Sequence, residues 1–315
     1  MAAGEFALIR ALLDAAGPVA RAHAEVGPGD DCAVLPPTRS KLCVTTDAVV
    51  EGVHFCRPAF SPEDVGHKAL AVNLSDLAAM GARPTWFTCA VAAPSLTLAQ
   101  ARGLGRGMAG LAARHGAALV GGNFSRASEL SLTLTAAGEV ERGAPLLRSG
   151  ARPGDVLYVS GELGEARRAL EVLLRGGKVP RGDRQRRPVP RVALGLLART
   201  HAHAGMDVSD GFAQDVRHLC RASGVAVEVD VEKLPRSQAV AALPDAGRAL
   251  VLGGGEDYEL LLAVAPSRVA AFERACAAAG ERVTAVGHFR RGRGVVLREG
   301  GKRLVAVKGH DHFGG

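Results

Sequence analysis

The sequence predicts an α+β fold built as two α+β domains, residues 1–148 and 149–315. Three observations predict it. Strand-like and helix-like segments are interspersed along the whole chain. The pattern restarts after a polar, turn-rich stretch, RSGARPGD, at Arg148–Asp155. With 315 residues, 47% hydrophobic and 23% charged, the chain can bury two cores and lies far from a disordered composition.

Each element has its own signal. Residues 5–16 (EFALIRALLDAA) space their apolar positions as a helix does, and a Gly/Pro loop (VGPGDD) follows. CAVLP and KLCVTTDAVV read as strands, the second rich in β-branched residues. Residues 63–80 form an amphipathic helix stopped by Gly81 and Pro84. WFTCAVAAP reads as a strand, 97–115 as a helix, ALVGG as a strand entering a glycine turn, and LSLTLTAAGEV as an alternating strand. In the second half VLYVSG, MDVSD, VAVEVDV, YELLLAV, RVTAVGHF and GVVLRE read as strands. ELGEARRALEVLLR, RVALGLLART, GFAQDVRHLCRAS and AAFERACAAAG read as helices.

Composition removes several function classes. The net charge of +7 is concentrated at Arg181–Arg191 (RGDRQRRPVPR) and at Arg290, Arg291 and Arg293. Neither cluster is interleaved with aromatics, which make up only 4% of the chain, so solvated loops are expected and nucleic acid is not. The six cysteines contain no C-x-x-C pair and several sit in apolar runs, the pattern of reduced thiols in a cytoplasmic protein. Glu5, Arg10 and Asp14 interrupt any signal-peptide core, and no apolar run is long enough to span a bilayer, so a soluble protein without a membrane partner is expected.

The chemistry lies in the acidic residues. Asp30 and Asp31 follow a Gly-Pro-Gly turn, and Asp47 ends CVTTD beside Thr45 and Thr46. Asp76 lies in an apolar helix with Asn73 on the same face, Asp207 ends a strand, and Ser209-Asp210-Gly211 opens the next helix. Carboxylates at strand ends and on half-buried helix faces are costly unless paired or metal-bound, and hard oxygens in this number suit Mg²⁺ with phosphates. Each also has a simpler reading: Ser209 or Asp210 as an N-cap, Asp30 and Asp31 as turn residues, Asp47 as a solvated strand end, Asp76 as a cap for a neighbouring helix. A P-loop is absent, and the formal G-x-G-x-x-G at Gly105–Gly110 falls inside a helical pattern, where it carries no nucleotide signal.

VGPGDDCAVL, VTTDAVVEGVHF, GHKALAVNLSDLAAMGARP, LLRSGARPGDVLYVSGELGEA, PRVALG, MDVSDGFAQDV, GGGEDYELLL and GHDHF resemble, in order, the successive blocks of the thiamine-monophosphate kinase family. That family belongs to a wider group with aminoimidazole ribonucleotide synthetase and selenophosphate synthetase. The resemblance implies a fold of that kind, with an N-terminal ATP/Mg²⁺-binding and dimerisation domain and a C-terminal domain completing the active site. It implies ATP and thiamine monophosphate as substrates, several Mg²⁺ ions in an acidic cleft, and a homodimer. Carried over by position, Asp30, Thr45, Thr46, Asp47, Asp76, Asp207 and Asp210 would bind magnesium. Gly121, Gly122, Arg148 and Ser209 would contact ATP, and His54, Glu256 and Phe313 would face the thiamine end of the acceptor. His54 as a packing histidine, Phe313 as an anchor for the tail and Arg148 as a loop salt bridge are the plainer readings.

One position departs from the family pattern. Where the family has Gly-Gly-Asp, this chain has Gly122-Asn123, a neutral oxygen in place of a charged one. The expected reaction is in-line transfer from ATP to an acceptor phosphate oxygen that is already ionised near neutral pH, so no general base is expected. A superfamily enzyme with another acceptor and a non-catalytic nucleotide-binding relative stand as alternatives.

Overall fold

The computed structural model describes residues 5–20, 24–25, 28, 35–180 and 182–304. The chain forms two compact units, Met1–Leu77 with Ala82–Gly143, and Ala78–Gly81 with Ala144–Gly315.

The first unit contains α1 (Glu5–Ala16), β1 (Lys41–Val50), α2 (Pro62–Ala79), β2 (Arg83–Ala93), α3 (Leu98–His115), β3 (Ala118–Arg126) and β4 (Ser131–Val140). Its sheet runs β1-β4-β2-β3, with β4 antiparallel to both neighbours and β2 parallel to β3. Parallel neighbours need a crossover, which α3 supplies. Thr97 and Gln100 close a capping box at its start, and Gly116 ends it at a left-handed φ of 70°. Two sequence expectations change here. Asp47 does not end its strand but sits inside β1, paired with Leu134. ALVGG does not enter a turn, because β3 continues through Gly121 and Gly122 to Arg126. Of CAVLP, residues 32–34 lie outside the described residues, and Leu35 and Pro36 are not in a strand.

Helix packing explains the G-x-G-x-x-G match. A Cβ on Gly105 would stand 2.4 Å from the Leu12 carbonyl oxygen of α1, and one on Gly107 2.0 Å from that of Glu63 in α2. Gly66 of α2 faces the Leu104 carbonyl oxygen in the same way, at 2.2 Å. These glycines let three helix backbones touch. Around them Leu12, Leu70, Leu74, Leu104, Met108 and Leu111 are buried.

The second unit contains β5 (Val156–Ser160), α4 (Glu165–Leu174), α5 (Val192–Ala198), β6 (Ala202–Asp207), α6 (Phe212–Ser223), β7 (Ala226–Asp230), α7 (Gln238–Ala241), α8 (Pro244–Gly253), β8 (Leu260–Val264), α9 (Val269–Ala278), β9 (Val283–Arg290), β10 (Gly294–Glu299) and β11 (Lys302–Arg303). The sheet runs β11-β10-β7-β9-β5-β8-β6, antiparallel except for the β7/β10 pair. Leu157, Val159, Phe212, Val216, Leu219, Val227, Leu261, Val286 and Phe289 form its core. The sequence reading missed α7 and α8. Pro244 and Gly247 look like breakers, yet Pro244 begins α8, where a missing N–H costs nothing, and a Cβ on Gly247 would meet the Val240 carbonyl oxygen at 2.3 Å. No helix among the described residues is long and apolar enough to cross a membrane.

Candidate active site

In the first unit the oxygen-bearing residues meet where β1 faces α2. The Thr45 hydroxyl donates to Asp76 Oδ2 at 2.5 Å. Asp47, two residues along the strand, lies on the same face by alternation, whereas the Thr46 hydroxyl turns the other way and bonds Thr135 at 2.8 Å. One helical turn before Asp76, Asn73 is fully buried and its amide donates to the Ala69 carbonyl at 3.0 Å. Its Oδ1 is buried without a partner among the described residues. A buried acceptor with no protein donor is what a water or the hydration shell of a cation satisfies.

His54 follows β1 in a tight turn. The Val50 N–H donates to its Nδ1 at 3.1 Å, so a neutral ring carries its proton on Nε2 and offers a donor there. The fully buried Lys68 of α2 donates from Nζ to the His54 carbonyl at 3.0 Å and stands 5.6 Å from the centre of the Phe60 ring. Lys68 was not singled out in the sequence, although a lysine inside the apolar run HKALAVNL was a signal. Gly122 is required for a close approach, since a Cβ would fall 2.1 Å from the Cys89 carbonyl oxygen. Asn123 is exposed, in register with Ala90.

In the second unit β6 delivers Asp207, buried to 3% exposure, and the chain then turns through Val208-Ser209-Asp210-Gly211 into α6. Neither Ser209 nor Asp210 is the N-cap. That position is Gly211, at φ 113° and without a side-chain cap bond. Asp215, one turn into the helix, holds the loop instead: its Oδ2 accepts the N–H groups of Ser209, Asp210 and Gly211, each at 3.1 Å. Burial, then the charges of Asp207 and Asp210, push the Asp215 carboxyl up to about 8. A cation beside these carboxylates would relieve that crowding.

The GGGEDYEL segment runs beside this loop. The N–H groups of Glu256 and Tyr258 donate to the carbonyls of Ser209 and Val208 at 2.8 Å each. Glu256 and Tyr258 hold left-handed φ angles of 68° and 51°, a strain of about 1–3 kcal/mol each that is typical of functional sites. Asp207, Ser209, Asp210 and Glu256 are thus brought together. Two other acids of the segment, missed from sequence, act structurally. Asp257 accepts the Gly164 N–H at the start of α4, and its own pKa is pushed well up by burial. Glu259 takes a two-pronged bond from Arg191 and the hydroxyl of Ser160. Arg148 is exposed, with its carbonyl accepting from Ser223 Oγ at 2.9 Å.

The arginine-rich segment is not the solvated loop expected. Gln185 is buried, Asp183 and Arg186 pair at 2.5 Å with side chains 3% and 15% exposed, and Arg191 is 17% exposed against Glu259. Asp30, Asp31 and Phe313 lie outside the described residues. No group of three or more His, Cys, Asp or Glu among the described residues is arranged to hold a metal ion by itself. Magnesium does not need such a group, because it keeps waters and takes phosphate oxygens as ligands. The donors present are all hard oxygens, and with the unpartnered Asn73 Oδ1 and the crowded carboxylates they fit that ion.

Residues 29–140 match the family model for the AIR synthase related protein N-terminal domain, and residues 152–299 that for the C-terminal domain. The chain is 39% identical to the thiamine-monophosphate kinase of Salmonella typhimurium over 99% of both chains. The chain belongs to the thiamine-monophosphate kinase family. Solved structures agree: the family member from Stenotrophomonas maltophilia matches with a TM-score of 0.85 and 40% identity, over 94% of this chain and 97% of that one. AaThiL complexed with AMPPCP and TMP matches with a TM-score of 0.78 and 34% identity, over 90% and 91%. The AIR synthase-like α+β fold expected from the motifs is the fold observed.

Proposed function

We propose that this chain phosphorylates thiamine monophosphate to thiamine diphosphate with ATP, by direct in-line transfer. The observation that carries this is the likeness, over nine-tenths of both chains, to a protein bound to an ATP analogue and TMP. The site residues support it. Thr45, Asp47 and Asp76 would hold Mg²⁺ in the first unit, with Thr46 contributing its main-chain oxygen, and Asp207 and Asp210 in the second; Asp30 would join them. When bound, the ion neutralises phosphate charge. Ser209 and Arg148 would bind the ATP phosphates, and Gly121 and Gly122 would contact the nucleotide. His54 would donate from Nε2 to the acceptor, and Glu256 and Phe313 would face its thiamine end. An acceptor phosphate oxygen is ionised near neutral pH, with a second pKa of about 6 for such esters, so positioning and charge neutralisation suffice.

The protein would work as a homodimer in the cytoplasm. The edge strand β1 leaves Leu42 and Val44 47% and 57% exposed, apolar area that a second copy would cover, and the described cysteines are free thiols. Incubation with ATP, Mg²⁺ and thiamine monophosphate, followed by chromatography for thiamine diphosphate, tests the function. Product that disappears with EDTA is expected. ATP binding without product from this acceptor, but with product from another phosphate or amide, would assign the site to a different acceptor.

A further inference from the structure

We propose that Gln185 is a positioning residue of the acceptor site, orienting the carboxylate of Glu256. The inference rests on the reading of Glu256 as an acceptor contact and extends it to a segment that the function has so far left out.

Gln185 lies in the middle of RGDRQRRPVPR yet is only 1% exposed. The segment is fastened on both sides of it. Asp183 Oδ1 accepts the N–H groups of Gln185 and Arg186, each at 3.1 Å, while Arg186 also donates to the carbonyls of Val179 and Pro180. At the far end Arg191 grips Glu259, three residues beyond Glu256. Between these anchors Gln185 Nε2 donates to Glu256 Oε2 at 2.6 Å. Chemistry fixes the amide this way round, because the opposite flip would set a carbonyl oxygen against a carboxylate.

The arrangement is expensive for a packing residue. Gln185 Oε1 is buried without a partner among the described residues, a cost that methionine or leucine would avoid. What the amide supplies, and those side chains cannot, is the donor to Glu256. The backbone of Glu256 is already set by the Ser209 carbonyl and its left-handed φ. Gln185 adds a bond to the side chain itself and so directs the carboxylate.

The test is steady-state kinetics on Gln185→Met, of similar volume but without a donor, with thiamine monophosphate and ATP varied separately and thermal midpoints recorded. The expected result is a KM for thiamine monophosphate raised about tenfold, equivalent to about 1.4 kcal/mol, with kcat and the KM for ATP within about twofold of the unsubstituted protein. In a Glu256→Ala background, Gln185→Met should add nothing, since a residue acting through Glu256 has nothing left to position. Unchanged acceptor KM, parallel rises in both KM values, or additive losses in the double variant would overturn the proposal. If Gln185→Met does not fold, Gln185→Asn, which keeps a polar amide one methylene too short to reach Glu256, is expected to show the same acceptor-specific loss. An ordinary acceptor KM in Glu256→Ala would show that Glu256 is no acceptor contact, and the proposal would fall with that reading. A raised KM there beside an ordinary one in Gln185→Met would sink this proposal alone.

Discussion

At Asp215 one carboxylate oxygen holds three consecutive backbone N–H groups, and the loop it holds carries Ser209 and Asp210. An unfolded aspartate ionises near pH 3.9, whereas this one is raised to about 8 by burial and by Asp207 and Asp210. Between those values the unfolded chain has released a proton that the folded chain retains. Stability of the magnesium-free protein should therefore fall as pH rises from about 4 to about 8. Asp215→Asn, which keeps an acceptor oxygen and cannot ionise, should flatten that slope; urea midpoints in EDTA across this range check it. Asp215→Ala leaves three N–H groups without their acceptor and should cost about 2–4 kcal/mol, read from the same curves. Asp76→Asn should instead lower turnover about a hundredfold with little change in the urea midpoint, because it weakens charge stabilisation, not packing. The sequence exposed Asp76, Asp207 and Asp210 through their odd placement at strand ends or in apolar runs. Asp215 escaped because an aspartate one turn inside an amphipathic helix looks like a solvated face until the preceding loop is seen to fold back on it.

At the scale of elements, contact between helix backbones holds the first unit's helices, and it gives a sharp contrast within α3. Gly107→Ala would push a methyl group into the Glu63 carbonyl and should destabilise by about 3 kcal/mol or more. Gly110→Ala meets nothing within 4 Å and should stabilise by about 0.5–1 kcal/mol through helix propensity alone. Thermal or urea unfolding of the two variants side by side checks the pair. Most elements were legible because their periodicity is clean: α1 appears with the bounds read from the sequence, and β1 spans the whole of KLCVTTDAVV, past Asp47. The failures share a cause. Gly121-Gly122, Pro244 and Gly247 look like punctuation locally, but Gly122 and Gly247 serve close backbone approach, Gly121 continues its strand and Pro244 begins a helix. Likewise the basic run at 183–191 looked solvent-facing because its partners, the half-buried Glu256 and the buried Glu259, lie some seventy residues away in sequence.

At the scale of the whole molecule, each unit gathers its own oxygen-rich cluster, Thr45, Asp47 and Asp76 in one and Asp207, Ser209, Asp210 and Glu256 in the other. The motif order disclosed the family and the residue types suited to magnesium and phosphate, while the braces around them, Lys68, Asp215, Asp257, Glu259 and Gln185, needed the fold. The most direct measurement follows the label from γ-³²P-ATP in the presence of Mg²⁺ and thiamine monophosphate. Direct transfer predicts label in thiamine diphosphate, one for one with ADP formed, and none of it when EDTA is present. ADP formed with the label in inorganic phosphate, or retained on the protein, would contradict it.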